Sequence, residues 1–174
     1  MIDADQLGRD ALRPGRPAWH STVDQFGDEI LAPLTLEIDR KRLAEVVFND
    51  SNKLRALNAI VHPVIVAGIA ERLERLATTD EIVVLDAALI VEVGLRESID
   101  VLVVVISNDE LRKERLVRER GMSPRDIDAR IRSQTDQEEL ARTADILVVN
   151  DGSLEDLAAE ADRVWGELEA RRDR

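Results

Sequence analysis

Ile82–Leu85 (IVVL), Val101–Ile106 (VLVVVI) and Asp145–Asn150 (DILVVN) are short, nearly uninterrupted apolar runs rich in β-branched residues. Such runs mark strands covered on both faces in a parallel sheet, where alternation with polar residues is not needed. Helical stretches with readable ends separate them. Ser107-Asn-Asp-Glu110 is a capping-box pattern opening a helix that Gly121 can close, Ser123-Pro124 starts another, and Ser153-Leu-Glu-Asp156 starts the last. This alternation predicts an α/β fold with a doubly wound parallel sheet and right-handed crossovers. Residues 167–174 are expected to fray.

Asp39 to Ala77 reads differently. It lacks a strand-like run and carries apolar residues at helical spacing: Leu43, Val46 and Val47, then Leu54, Leu57, Ile60 and Val61. Asp39 is a candidate N-cap, and Asn49-Asp-Ser-Asn52 separates two helices. A helical hairpin inserted between strands is expected. Pro63 should kink or end the second helix near His62, because it lacks an N–H and disfavours helical geometry at the residue before it.

The 174 residues are enough for one domain with a small insertion. With 24 basic against 36 acidic side chains the net charge is −12, which argues against binding a phosphate backbone. The absence of cysteine excludes a thiolate nucleophile, a disulfide scaffold and a Cys-type zinc site. No uninterrupted apolar run approaches the roughly 18 residues of a membrane span. The expectation is a cytoplasmic protein without nucleic-acid or membrane partners, its oligomeric state left open.

An α/β sheet presents its chemistry at the carboxyl ends of its strands. Asp3 and Asp5 follow a very short start at Ile2, Asp86 follows IVVL, and Asp151 follows DILVVN. Singly, each can be a loop residue or helix cap. Together they outline a site.

IDADQLGRDALRPG, FGDEIL, DRKRLAEVVFND, LNAIVHP, LDAALIVEVGL, RLVRERGMS, ARIRSQ and ADILVVNDGS, in this order and spacing along nearly the whole chain, resemble the dephospho-coenzyme A kinase family, in its actinobacterial form. The resemblance implies an adenylate-kinase-like P-loop core with a five-stranded parallel sheet, a helical substrate-binding insertion and a lid. It also implies phosphorylation of the ribose 3′-hydroxyl of dephospho-coenzyme A by ATP with Mg2+. On that frame residues 1–174 form one kinase-like domain: 39–77 the insertion, 108–140 the lid region, and 1–38, 80–107 and 141–174 the core. The family's GxxxxGK[ST] loop occurs nowhere in this sequence, whose eight glycines are scattered singly. Two expectations follow: a start assigned too far downstream, or a truncated, non-catalytic derivative acting as a binding module. Another nucleotide kinase of the same fold is a third reading.

By resemblance Asp5 is the base that accepts the proton of the attacking hydroxyl, although it could instead cap the following helix. Asp3 reads as structural. Asp86 is placed like a Walker B carboxylate for magnesium, and Ala88 stands where the family has proline. His62 falls on the substrate side, with a helix-ending hydrogen bond as the plainer reading. Arg115, Arg118 and Arg120 match lid cations for the phosphates of ATP, or form a solvated helix face. Asn150 and Gly152 resemble the loop beside adenine, although a plain strand-to-helix turn serves equally. Leu140 occupies a commonly basic site, which Arg142 could replace.

The phosphate cradle is needed for turnover. Purified residues 1–174 alone are therefore expected to show no saturable phosphorylation of dephospho-coenzyme A. An in-frame upstream segment carrying the loop should restore turnover and sharpen thermal unfolding; both are read by a coupled kinase assay and a melting curve.

Overall fold

The computed structural model describes residues 1–87, 94–133 and 136–173. The chain divides into two compact units, residues 1–93 and 94–174. In the first unit β1 (Ile2–Asp3) leads into α1 (Ala4–Ala11) and α2 (Pro17–Phe26), and α3 (Arg40–Val47) and α4 (Ser51–Leu76) form the expected helical pair before β2 (Leu85–Asp86). Asp39 caps α3 by accepting the Lys41 and Arg42 N–H groups, and Asp50 caps α4 by accepting those of Asn52 and Lys53. Phe26, Ile30, Leu43 and Val47 are buried together, so α2 and the hairpin share one core.

β1 and β2 are parallel, with Ile2 opposite Leu85 and Asp3 opposite Asp86. The sequence predicts a strand over 82–85. The ladder instead covers Leu85 and Asp86, extended by the Ile2 N–H to the Val84 carbonyl at 2.8 Å, because a two-residue partner offers no groups for Ile82 and Val83 to pair with.

Pro63 does not end α4. The helix continues to Leu76, packed on α1 on both sides of the proline. A Cβ on Gly8 would lie 3.2 Å from Ile65 Cδ1, and one on Gly68 would lie 3.1 Å from Leu7 Cδ2. This close crossing supplies contacts that outweigh the backbone bond lost at the proline. Among the described residues α4 is the one helix long and apolar enough to cross a membrane by length and composition. The run-length reading passes over it because Asn58 and His62 interrupt its apolar residues.

Between α2 and α3 the chain turns through Ala32–Glu37, closed by the Leu31–Ile38 bridge. Leu36 sits at φ 57°, in the left-handed region, and its carbonyl accepts the half-buried Trp19 indole N–H at 3.0 Å.

The second unit pairs β3 (Val103–Ile106) with β4 (Ile146–Val149) in parallel. α5 (Asp109–Arg120), α6 (Pro124–Ser133) and α7 (Gln137–Thr143) lie between them, and α8 (Leu154–Arg172) follows. Ile146 and Val148 face Val164 of α8 in a small core. The α5 cap is Asn108, one residue beyond the predicted Ser107, because the Asn108 side chain accepts the Glu110 N–H. Gly121 ends α5 at φ 59°, as expected. Residues 167–172 are helical rather than frayed, with Glu167 paired to Arg163 and Arg171 one turn on either side.

At the start of α8 the Asp156 carboxyl accepts the Ser153 backbone N–H and then its hydroxyl, each at 2.8 Å, and the Ser153 Oγ accepts the Asp156 N–H. These bonds hold the Asp156 pKa below its ordinary value, the backbone bond contributing most. The contribution to stability is present above the ordinary aspartate range, about pH 4, and is lost as pH falls through the lowered folded value.

Two tests follow. Gly68→Leu should destabilise the protein by about 1–3 kcal/mol through overpacking against Leu7. Gly166→Ala, where an added Cβ meets nothing within 4 Å, should stabilise it by about 1 kcal/mol in denaturant titrations. Ser153→Ala should lower stability by about 1 kcal/mol at pH 7, and the difference from the parent should narrow in acid melts as Asp156 protonates.

Candidate functional site

In the first unit the carboxyl ends of the parallel pair bring Asp3 and Asp86 into register. Asp3 has extended backbone and caps α1. Its Oδ1 accepts the Gln6 N–H at 2.7 Å, and its Oδ2 accepts Arg9 Nη2 at 3.2 Å. Both oxygens are therefore engaged in holding the strand-to-helix turn. The cap of α1 is therefore Asp3, and Asp5 stands in the first turn of α1 with its side chain exposed. Asp86 is exposed as well, and among the described residues neither carboxylate has a hydrogen bond or ion pair.

The resemblance noted in the sequence implies a divalent cation. Among the described residues no three His, Cys, Asp or Glu side chains are grouped to hold a metal. One exposed carboxylate fits magnesium nonetheless, because this ion keeps water and phosphate oxygens and takes only one or two carboxylates from the protein. The turn at Ala88 lies outside the described residues. His62 is half-buried in the middle of α4, so the helix-ending role expected for it does not hold.

In the second unit the loop after β4 is fixed from two sides. Arg115 donates from Nη1 to the Asn150 carbonyl at 2.8 Å and from Nη2 to the Gly152 carbonyl at 3.1 Å. The Asp151 carboxylate accepts the Asn108 N–H at 2.7 Å, and the Asn150 N–H reaches the Ile106 carbonyl at 2.7 Å. A Cβ on Gly152 would lie 2.5 Å from Asp156 Oδ2, so a side chain there would displace the Asp156 carboxyl. Arg118 pairs with Glu114 at 3.5 Å and Glu119 at 3.0 Å, all exposed. Arg120 is exposed in the last turn of α5 without an ion pair among the described residues. Arg142 pairs with Glu138 one turn away, and Leu140 is half-buried on the same helix.

Sequence reading missed Gln137. Its Oε1 accepts the Ser107 N–H at 3.0 Å and its Nε2 donates to Asp109 Oδ1 at 2.9 Å, tying α7 to the β3–α5 junction. No local pattern announces it, because the partners lie 30 and 28 residues away. A cavity of about 410 Å³ lies between α5 and α6, lined by Glu114, Val117, Ile127 and Asp128 among others, and none of the expected site residues borders it.

A sequence model of the dephospho-CoA kinase family matches residues 1–156. Proteins named dephospho-CoA kinase are similar along most of the chain. The one from Streptomyces avermitilis is 41% identical over 97% of this chain and 81% of its own length. That from Thermobifida fusca is 41% identical over 98% of this chain and 84% of its own. Among solved structures, a Thermus thermophilus protein superposes with a TM-score of 0.73 at 32% identity over 96% of this chain and 83% of that one. The dephospho-CoA kinase of Campylobacter jejuni superposes with a TM-score of 0.66 at 28% identity, over the same shares of the two chains.

Proposed function

Since this chain belongs to the dephospho-CoA kinase family, we propose that it transfers the γ-phosphoryl group of ATP to the ribose 3′-hydroxyl of dephospho-coenzyme A, in the cytoplasm. The observation that supports this reading most directly is Asp5. It is an exposed carboxylate in the first turn of α1, on a turn held by Asp3, whose partner across the parallel pair is the exposed Asp86.

The reaction needs a group to orient the hydroxyl and take its proton late, as the ribose oxygen bonds to the γ-phosphorus and the bond to ADP breaks. Asp5 has the chemistry for this, and its neighbour Asp3 is already engaged by Gln6 and Arg9. Asp86 would hold magnesium, which when bound offsets the negative charge of the phosphates. Residues 39–77 form the substrate-binding insertion, with His62 on the substrate side. Residues 108–140 form the lid region, from which Arg118 and Arg120 offer charge to the phosphates. Arg115, Asn150 and Gly152 belong to the nucleotide side, the Asn150–Ser153 loop lying beside the base. One kinase-like domain made of these parts accounts for the whole chain.

Asp5→Asn tests the assignment in the chain extended by an upstream segment that carries the phosphate-binding loop. The amide keeps the size and still accepts a hydrogen bond, but it cannot take the proton. kcat should therefore fall by about 10²–10⁴, with KM for dephospho-coenzyme A nearly unchanged. Asp3→Asn should act mainly on thermal stability. Steady-state kinetics in which Asp5→Asn keeps kcat within about fivefold of the parent would place the base elsewhere.

A further inference from the structure

We infer that Arg115 acts as a positioning residue for the nucleotide base, holding the Asn150–Gly152 loop in shape, rather than as a cation for the phosphates. The inference rests on the reading above that this loop lies beside the base.

The geometry separates Arg115 from the other two arginines of α5. Its planar fork reaches two backbone carbonyls two residues apart, Asn150 O at 2.8 Å and Gly152 O at 3.1 Å. Between them Asp151 faces another partner, the Asn108 N–H at 2.7 Å. Three successive residues are thus pinned alternately, by the side chain of Arg115 and by the backbone at the start of α5. The Asn150 N–H also continues the β-ladder to Ile106. A loop fixed in this way needs little ordering when a ligand arrives, which is where preorganisation adds affinity and selectivity.

Presenting Arg115 to a phosphate would break both carbonyl bonds at once. Arg118 faces no such barrier, since its partners Glu114 and Glu119 are exposed and such pairs contribute little in water. Arg120 is exposed and has no ion pair among the described residues. Charge for the phosphates therefore falls to these two. A lysine at 115 would keep the charge and most of the length, but its single ammonium lacks the fork that spans two carbonyls.

The test compares Arg115→Lys, Arg115→Ala and Arg118→Ala with the parent, each in the chain extended by an upstream segment that carries the phosphate-binding loop. Calorimetry would measure binding of ATP, GTP and inorganic tripolyphosphate, and hydrogen exchange would follow the amides of residues 150–153. Both Arg115 variants should speed exchange in the loop and cut the preference for ATP over GTP by roughly tenfold, with tripolyphosphate affinity unchanged within about twofold. Arg118→Ala should weaken all three ligands together and keep the base preference. Arg115→Lys stays informative if Arg115→Ala fails to fold. The role is overturned if Arg115→Lys keeps the parent's base preference, or if Arg115→Ala weakens tripolyphosphate as much as ATP. A parent that binds ATP and GTP equally overturns the assignment of the loop to the base, and this role with it.

Discussion

Asp3 accepts a backbone N–H from Gln6 on one oxygen and the Arg9 guanidinium on the other, and the start of α1 depends on that pair of bonds. The strand it ends is only two residues long. A strand that short cannot define the direction of the chain by pairing alone, so the cap sets where α1 begins. Once the cap is Asp3, the next carboxylate in the chain lies in the first helical turn and points away from structural duty. Placing the same acid one residue earlier or later would leave the turn without its acceptor or remove the free carboxylate.

The second unit solves a similar problem with Asp145. Its Oδ2 accepts the Leu102 N–H at 2.7 Å and Arg96 Nη2 at 2.8 Å, joining the entry of β3 to the entry of β4. The register that follows carries Ile106 to Val149 and delivers the two strand ends side by side. The loops leaving them can then be tied together, by Asp151 to Asn108 and by Arg115 to Asn150 and Gly152. In both units an aspartate at a strand terminus fixes the backbone, and the residues beyond it inherit their positions.

Much of this was legible in the residues. The runs around β3 and β4 show as strands because their apolar residues are continuous, and Asp39, Gly121 and Ser153 are read correctly because caps depend on neighbours in sequence. Errors arise where a distant partner decides. β2 is shorter than its apolar run since β1 has two residues, and Pro63 is absorbed since α1 packs across it. The α5 cap shifts by one because Asn108 competes with Ser107 for the same orphan N–H groups. Asp5 and Asp86 are legible as strand-end acids, with their roles drawn from family resemblance. The carbonyl clamp of Arg115 has no local signature, as its acceptors are backbone atoms 35 and 37 residues away.

The placement of the two tryptophans has an optical consequence. Trp19 belongs to the first unit, half-buried, with its indole N–H on the Leu36 carbonyl and its ring edge-on to His20 at 4.8 Å. Trp165 belongs to the second, 45% exposed on α8. Each unit thus carries one intrinsic fluorophore in a distinct setting: one hydrogen-bonded beside a titratable ring, the other open to water. Replacing either by phenylalanine leaves a single emitter, so quenching and spectral shift can be assigned to one half of the chain without any added label.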